Sequence, residues 1–207
     1  SMDRRNRVEA ELLCADARES TIESWRVLRI LAELVSGFDL LRNYGLAATI
    51  FGSSRCGAGD EVYAQAEALA RRLSAAGFAV ITGGASGVMQ AANKGAKEAG
   101  GDSVGLNIKL PARSAPNAYT TDGQEFHYFF TRKVMLSFAS EVYIFFPGGF
   151  GTLDEFLEIL TLVQTKKVKA LPIILVGRDY WQPLLSWFEE TLKGERYRTI
   201  EPEDTRL

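Results

Sequence analysis

At 207 residues, with 46% hydrophobic and 24% charged residues, the chain has the size and composition of one well-buried soluble domain. A net charge of −2 gives no global attraction to nucleic acid or to an anionic membrane, and two cysteines, Cys14 and Cys56, cannot build a disulfide framework. No apolar run has transmembrane length, and the N-terminus lacks the succession of charged, apolar and small residues of a signal peptide, so the expected compartment is the cytoplasm.

Residues 1 to 18 are charge-rich and without period. From Ser20, apolar residues at Ile22, Trp25, Leu28, Leu31, Leu34, Val35, Phe38 and Leu41 form a helical stripe. That face is too wide to be left in water, and it covers either the domain's own sheet or a second subunit. Ala47 to Phe51 predicts a strand, followed by the turn Gly52-Ser53-Ser54-Arg55 and a helix capped by Asp60 that runs to about Ala76. Phe78 to Ile81 predicts the next strand, and Thr82 to Gly87 a second glycine turn that opens a helix through Met89, Ala92 and Ala96. Val104 to Ile108 reads as a third strand, Pro111 to Gln124 as a loop or lid over the site, and Thr131 to Ala139 as a short helix.

Val142 to Phe146 is short, β-branched and aromatic, which predicts a buried strand. It stops at Pro147, and Gly148, Gly149 and Gly151 then permit torsions and close approaches that a Cβ would block. Thr152 and Glu155 have the T-x-x-E spacing of a capping box opening a helix to about Gln164. Strand, turn and helix N-terminus together direct unpaired N–H groups at one point, a place for an anion such as phosphate. Pro172 to Val176 is the last predicted strand, Gly177 to Tyr180 a turn, and Trp181 to Leu192 an amphipathic helix. Strands alternating with helices predict a single α/β domain, Rossmann-like, with a mostly parallel sheet covered by helices on both faces. All three glycine turns follow strands, so all three face the edge where ligands bind in such sheets.

Neither Gly52-Ser53-Ser54 nor Gly83 to Gly87 fits the dinucleotide fingerprint or the P-loop pattern, and a mononucleotide is the better fit. On spacing alone Glu155 reads first as a helix cap and second as a carboxylate at the ligand; Asp154, about 100° round the helix from it, faces elsewhere. Arg132 and Lys133, placed at a predicted helix start, oppose its dipole. Either nearby carboxylates neutralise a solvated helix end, or an anionic ligand or an active-site glutamate needs the guanidinium. His127, the only histidine, sits in the aromatic run Phe126 to Phe130 and reads as packing; with no second histidine and no cysteine at ligand spacing, no zinc site is expected. Cys56 reads as a small half-buried residue, and Tyr180, Trp181 and Trp187 as core or interface.

At PGGFGTLDE, with Arg132-Lys133 upstream and the Gly83 to Met89 turn, the sequence resembles the LONELY GUY (LOG) family of cytokinin riboside 5′-monophosphate phosphoribohydrolases, long mislabelled as lysine decarboxylases. The resemblance covers about Leu46 to Leu192, and the preceding helix with FHYFFTRK and LTLVQTKK looks like the longer bacterial branch. It implies a nucleotide-binding domain over residues 46–207, preceded by a segment, 1–45, whose amphipathic helix packs on the domain or on a dimer partner. It further implies hydrolysis of the N-glycosidic bond of a purine nucleoside 5′-monophosphate, cytokinin-activating in type. Arg132 and Glu155 match the family's catalytic arginine and glutamate. Gly148, Gly149, Gly151 and Thr152 would hold the phosphate, while Gly52, Ser53, Gly83, Gly84, Met89 and Lys133 complete the substrate site. Arg132 is expected to keep Glu155 ionised, and the site to lie at a homodimer interface. The resemblance implies no metal or other cofactor. Ala85 departs from the third glycine that many relatives carry. The competing expectation is a non-catalytic carrier of a nucleotide or a larger phosphorylated cofactor; a pyridoxal-dependent decarboxylase lacks support beyond isolated lysines.

Overall fold

The structure is a computed structural model that describes residues 24–110 and 116–201. Strands β1 (Ala47–Phe51), β2 (Ala79–Thr82), β3 (Ser103–Ile108), β4 (Asp122–Phe126), β5 (Val142–Phe145) and β6 (Ile173–Leu175) form one sheet in the order β4-β3-β2-β1-β5-β6. Every pairing is parallel. The order reverses between β1 and β5, which sit side by side with Ile50 opposite Ile144 and Phe51 opposite Phe145.

β1, β2 and β5 are buried at every residue because helices cover both faces, which explains their unbroken apolar runs. Helices α2 (Glu61–Ala75) and α3 (Val88–Glu98) cover one face, packing Ala66, Ala70, Ala91, Ala92 and Ala96 against Ile50, Val80 and Ile144. Helices α1 (Ser24–Leu41), α4 (Phe129–Ser137), α5 (Phe150–Gln164) and α6 (Arg178–Trp187), the last continued by a π-helical turn Phe188–Leu192, cover the other. There Phe51 and Phe145 stack at 4.8 Å, and Trp181, 1% exposed, packs edge-on to Phe145 while its indole N–H donates to the Val176 carbonyl at 3.0 Å. Burying a ring of that size contributes on the order of 2–3 kcal/mol.

Four local expectations are corrected. The stretch expected as loop or lid ends in β4, a sixth strand; DGQEF lacks an apolar period because an edge strand leaves most of its side chains in water. Helix α4 starts at Phe129, so Arg132 and Lys133 lie past its first turn rather than at its start. Gly149 is the N-cap of α5, whose first turn absorbs Gly151 and Thr152, so Thr152 and Glu155 do not form a capping box. Asp60 precedes α2, but its carboxylate accepts from the Gly57 N–H at 2.7 Å instead of capping the helix. Of the N-terminal stripe, Ile22 lies outside the described residues. α1 packs on α4 and β4 through Leu34, Gly37 and Leu41, leaving Trp25, Leu28, Leu31, Val35 and Phe38 exposed. Among the described residues, no helix is long and apolar enough to cross a membrane.

Candidate functional site

Parallel strands all point their C-terminal ends the same way, so the reversal between β1 and β5 opens a crevice beyond those ends. The turns there are braced against one another by backbone. Ser53 N–H donates to Pro147 O at 3.0 Å, joining the first and third turns, and Val88 N–H donates to Ser53 O at 2.9 Å, joining the first turn to the start of α3. The second turn is held from below by a buried polar network. Thr82 Oγ1 donates to Asn93 Oδ1 at 2.6 Å and accepts from Gly84 N–H at 2.9 Å, while Asn117 Nδ2 reaches the same Asn93 oxygen at 2.9 Å.

The result is a cleft of about 890 Å³. Of the site residues named from sequence, Gly52, Ser53, Gly83, Met89, Arg132, Gly148, Gly149, Gly151, Thr152 and Glu155 line it; Gly84 and Lys133 do not. Gly84 stands behind the wall with φ +68°, the Asn107 side chain filling the place of a Cβ. Lys133 turns away to Asp154 and Glu158, at 2.7 Å from each. Ala85 is also off the wall, and its carbonyl accepts from Asn117 Nδ2 at 3.1 Å. Sequence reasoning passed over Arg55, Phe129, Leu136, Phe150 and Leu153, which share the lining. Phe150, 92% exposed, occupies the variable position of the glycine motif, and Phe129, 62% exposed, stands three residues before Arg132, so proximity to the motifs was the usable signal.

Arg132 reaches across the sheet edge. Its Nε–H donates to Leu106 O at 2.6 Å and Nη2 to Gly83 O at 3.5 Å; a Cβ on Gly83 would collide with that guanidinium. Three further N–H donors of the fork remain for other partners. Burial pushes the Arg132 guanidinium down from its ordinary pKa, and the charge of Glu155 opposes this.

Glu155 is the anomaly of the cleft. Its Oε2 is buried and has no hydrogen-bond partner. Burial pushes the carboxyl up to about 7, against the pull of Lys133 and then Arg132, with Glu158 and Asp154 pushing the same way as burial. The expectation that Arg132 keeps this group ionised is therefore corrected: desolvation outweighs both cations, and Lys133 ranks ahead of Arg132. Asp154 also reaches the cleft wall, but Lys133 pairs with it, so the unpaired carboxyl is Glu155.

One turn earlier on the same helix, Gly149 to Gly151 at the start of α5 carry backbone N–H groups with no place in the helix ladder, suited to an oxyanion. Tyr180 Oη fixes the turn by donating to Gly148 O at 2.6 Å. Apolar Met89, Phe129, Leu136 and Leu153 also line the cleft. Among the described residues, no group of three or more His, Cys, Asp or Glu side chains is arranged to hold a metal ion. His127 is exposed with its ring edge-on to Tyr128 at 4.8 Å, Cys56 is half-buried, and Trp187 and Tyr180 are exposed.

Fold and cleft together define a doubly wound α/β protein with a ligand crevice at the switch in its strand order. The chain belongs to the LOG family: the family profile described as "Possible lysine decarboxylase" matches residues 89–207. It is 29% identical over 147 residues to the cytokinin riboside 5′-monophosphate phosphoribohydrolase of Rhodococcoides fascians, covering 69% of this chain and 74% of that protein. The protein of the same designation from Arabidopsis thaliana is 29% identical over 122 residues, which are 55% of this chain and 54% of that one, so the match spans about half of the plant relative. Among solved structures, the Chlamydomonas Moco carrier protein is 26% identical with a TM-score of 0.52, covering 71% of this chain and 83% of that one.

Proposed function

We propose that this protein hydrolyses the N-glycosidic bond of purine nucleoside 5′-monophosphates, of adenosine or an N6-modified adenosine, to free base and ribose 5-phosphate. The observation that carries the reading is a buried carboxyl oxygen without a partner, on Glu155, in one cleft with a glycine-rich helix N-terminus and a half-buried arginine.

The phosphate binds at Gly148, Gly149, Gly151 and Thr152, and this grip, remote from the breaking bond, orients the sugar. The base lies along Met89, Leu136 and Leu153. As the C1′–N bond breaks, its electron pair leaves with the base and positive charge develops on the ribose ring, which the ionised Glu155 stabilises. Water oxygen bonds to C1′ while Glu155 orients that water and takes its proton; the departing base takes a proton at nitrogen from solvent water and Glu155 returns its own to solvent, so one water is consumed per bond broken. Arg132 holds the substrate from the opposite wall. Lys133 acts from outside the cleft through the charges around Glu155. The proposal extends to a homodimer with a shared site and a nucleotide-binding domain over residues 46–207 preceded by the segment 1–45, both suggested by the family resemblance, and to the cytoplasmic location expected from the sequence.

Chromatography of free base after incubation with AMP, and in parallel with isopentenyladenosine monophosphate, tests the reading; release from either supports it. The rival reading, a carrier of a phosphorylated cofactor, draws on the similarity to the Moco carrier. It gains if the nucleotide binds and neither substrate yields base.

A further inference from the structure

We propose that Glu33, on α1, is a positioning residue for Arg132; the inference rests on the hydrolase reading above. Its ground is an end of α4 that the helix cannot satisfy alone. Tyr128 occupies the N-cap position and makes no side-chain cap hydrogen bond, so the donors at the entry to α4, the His127 and Tyr128 N–H groups and the Thr131 hydroxyl, draw on an acceptor from elsewhere.

Glu33 supplies it from nearly a hundred residues away in sequence. One carboxylate oxygen accepts from the His127 N–H at 2.9 Å; the other accepts from Thr131 Oγ1 at 2.6 Å and from the Tyr128 N–H at 3.4 Å. The residue is 8% exposed, rare for a glutamate unless its oxygens are satisfied, and among the described residues it pairs with one cation, the partly exposed Arg29 at 4.0 Å. A negative charge at a helix N-terminus is also favourable with the helix dipole.

The contact is held from both sides. Gln124 Nε2 donates to the Glu33 carbonyl at 3.1 Å, and Gly37, one turn on, brings α1 so close to α4 that a Cβ there would meet the Met135 side chain. Thr131, which Glu33 holds, immediately precedes Arg132, and the Arg132 N–H makes its helix bond to Tyr128 O at 3.3 Å. The backbone that sets the origin of the Arg132 side chain is thus fixed by a carboxylate from the N-terminal helix. The guanidinium is fixed separately, at Leu106 O.

A double-mutant cycle in the full chain separates positioning from stability. Glu33→Gln removes the charge and turns an NH₂ toward donors, whereas Leu34→Ala weakens the packing of the same helix without touching the α4 terminus. At a temperature where all variants are folded, Glu33→Gln is expected to lower kcat/KM for base release from AMP by about tenfold, and Leu34→Ala to stay within about twofold of wild type. AMP affinity, measured by calorimetry, is expected to weaken on Glu33→Gln in the wild-type background and to change no further in an Arg132→Ala background. Wild-type turnover in Glu33→Gln, or an equal loss of affinity in both backgrounds, overturns the proposal. If AMP binds but wild type releases no base, the hydrolase reading fails, and the affinity cycle alone decides whether Glu33 acts through Arg132.

Discussion

Among the described residues, two ion-pair clusters bridge helices on opposite faces of the sheet. Between α2 and α3, Arg71 pairs with Glu67 at 3.2 Å and Glu98 at 2.8 Å, and Lys94 pairs with Glu67 at 3.0 Å. Between α4 and α5, Lys133 pairs with Asp154 and Glu158, both at 2.7 Å. The chemistry is nearly the same, but the surroundings are not. The first cluster lies over an alanine-lined seam where Gly95 meets the Glu67 backbone, and every charge in it is satisfied within the cluster. The second flanks Glu155, whose buried Oε2 has no partner and whose carboxyl is pushed up to about 7. An ion pair matters here less for its own attraction, which is modest near solvent, than for the unpaired group whose charge it biases.

The largest expected effect breaks that comparison at its centre. Glu155→Gln should keep AMP binding, measured by calorimetry, while lowering turnover by about 10²-fold or more, the scale for losing one preorganised electrostatic group. Undiminished release of ribose 5-phosphate by this variant would remove Glu155 from the chemistry.

Lys133→Met should act through Glu155 and not through the substrate. Loss of the cation that pulls hardest against burial raises the carboxyl further, so the ionised fraction at pH 7 falls. Turnover at pH 7 should drop severalfold and recover toward the wild-type value above pH 8. A loss of equal size at every pH would mean that Lys133 contacts the substrate or merely holds the helices together.

Stability should show the same group with its sign determined by linkage. The folded-state pKa of Glu155 lies above its unfolded value, so burying the protonated acid favours the fold below about pH 4.5, and that contribution is lost as pH rises through about 7. The difference in unfolding midpoint between Glu155→Gln and wild type should therefore grow in favour of the variant from pH 5 to pH 8. A difference that is flat with pH would show that the carboxyl does not titrate abnormally.

Lys94→Met marks the small end of the series. It should lower the unfolding midpoint slightly, less so in high salt, and leave base release within about twofold of wild type. Loss of activity here would erase the distinction between the two clusters.

The difference between the faces also explains how much the chain disclosed in advance. β1, β2 and β5 read correctly because a strand buried on both sides has no polar alternation to confuse, and the three glycine turns follow them directly. From those turns and the family motif, most of the cleft wall could be named residue by residue. β4 escaped because a solvated edge strand is defined by its pairing with β3 rather than by its own composition. The sequence expects α4 two residues late for a similar reason: the acceptor at its entry, Glu33, lies in no local window. The family resemblance places Lys133 with the substrate, yet successive helical positions point about 100° apart, and the structure directs it to α5. That burial would outweigh two cations at Glu155 was likewise beyond a reading of motifs, since desolvation depends on what the whole fold packs around one oxygen.

The most direct trial of the central claim is the pH dependence of kcat/KM for free-base release from AMP, followed by chromatography between pH 5 and 9. Burial raises the Glu155 carboxyl; Lys133 and Arg132 from α4 pull it down and Glu158 and Asp154 from its own helix push it up, which together put it at about 7. The account predicts a rate that rises with pH through a midpoint near 7, a limb that Glu155→Gln lacks. Absence of base at every pH from a protein that binds the nucleotide, or a rate with no inflection between pH 5 and 9, would contradict it.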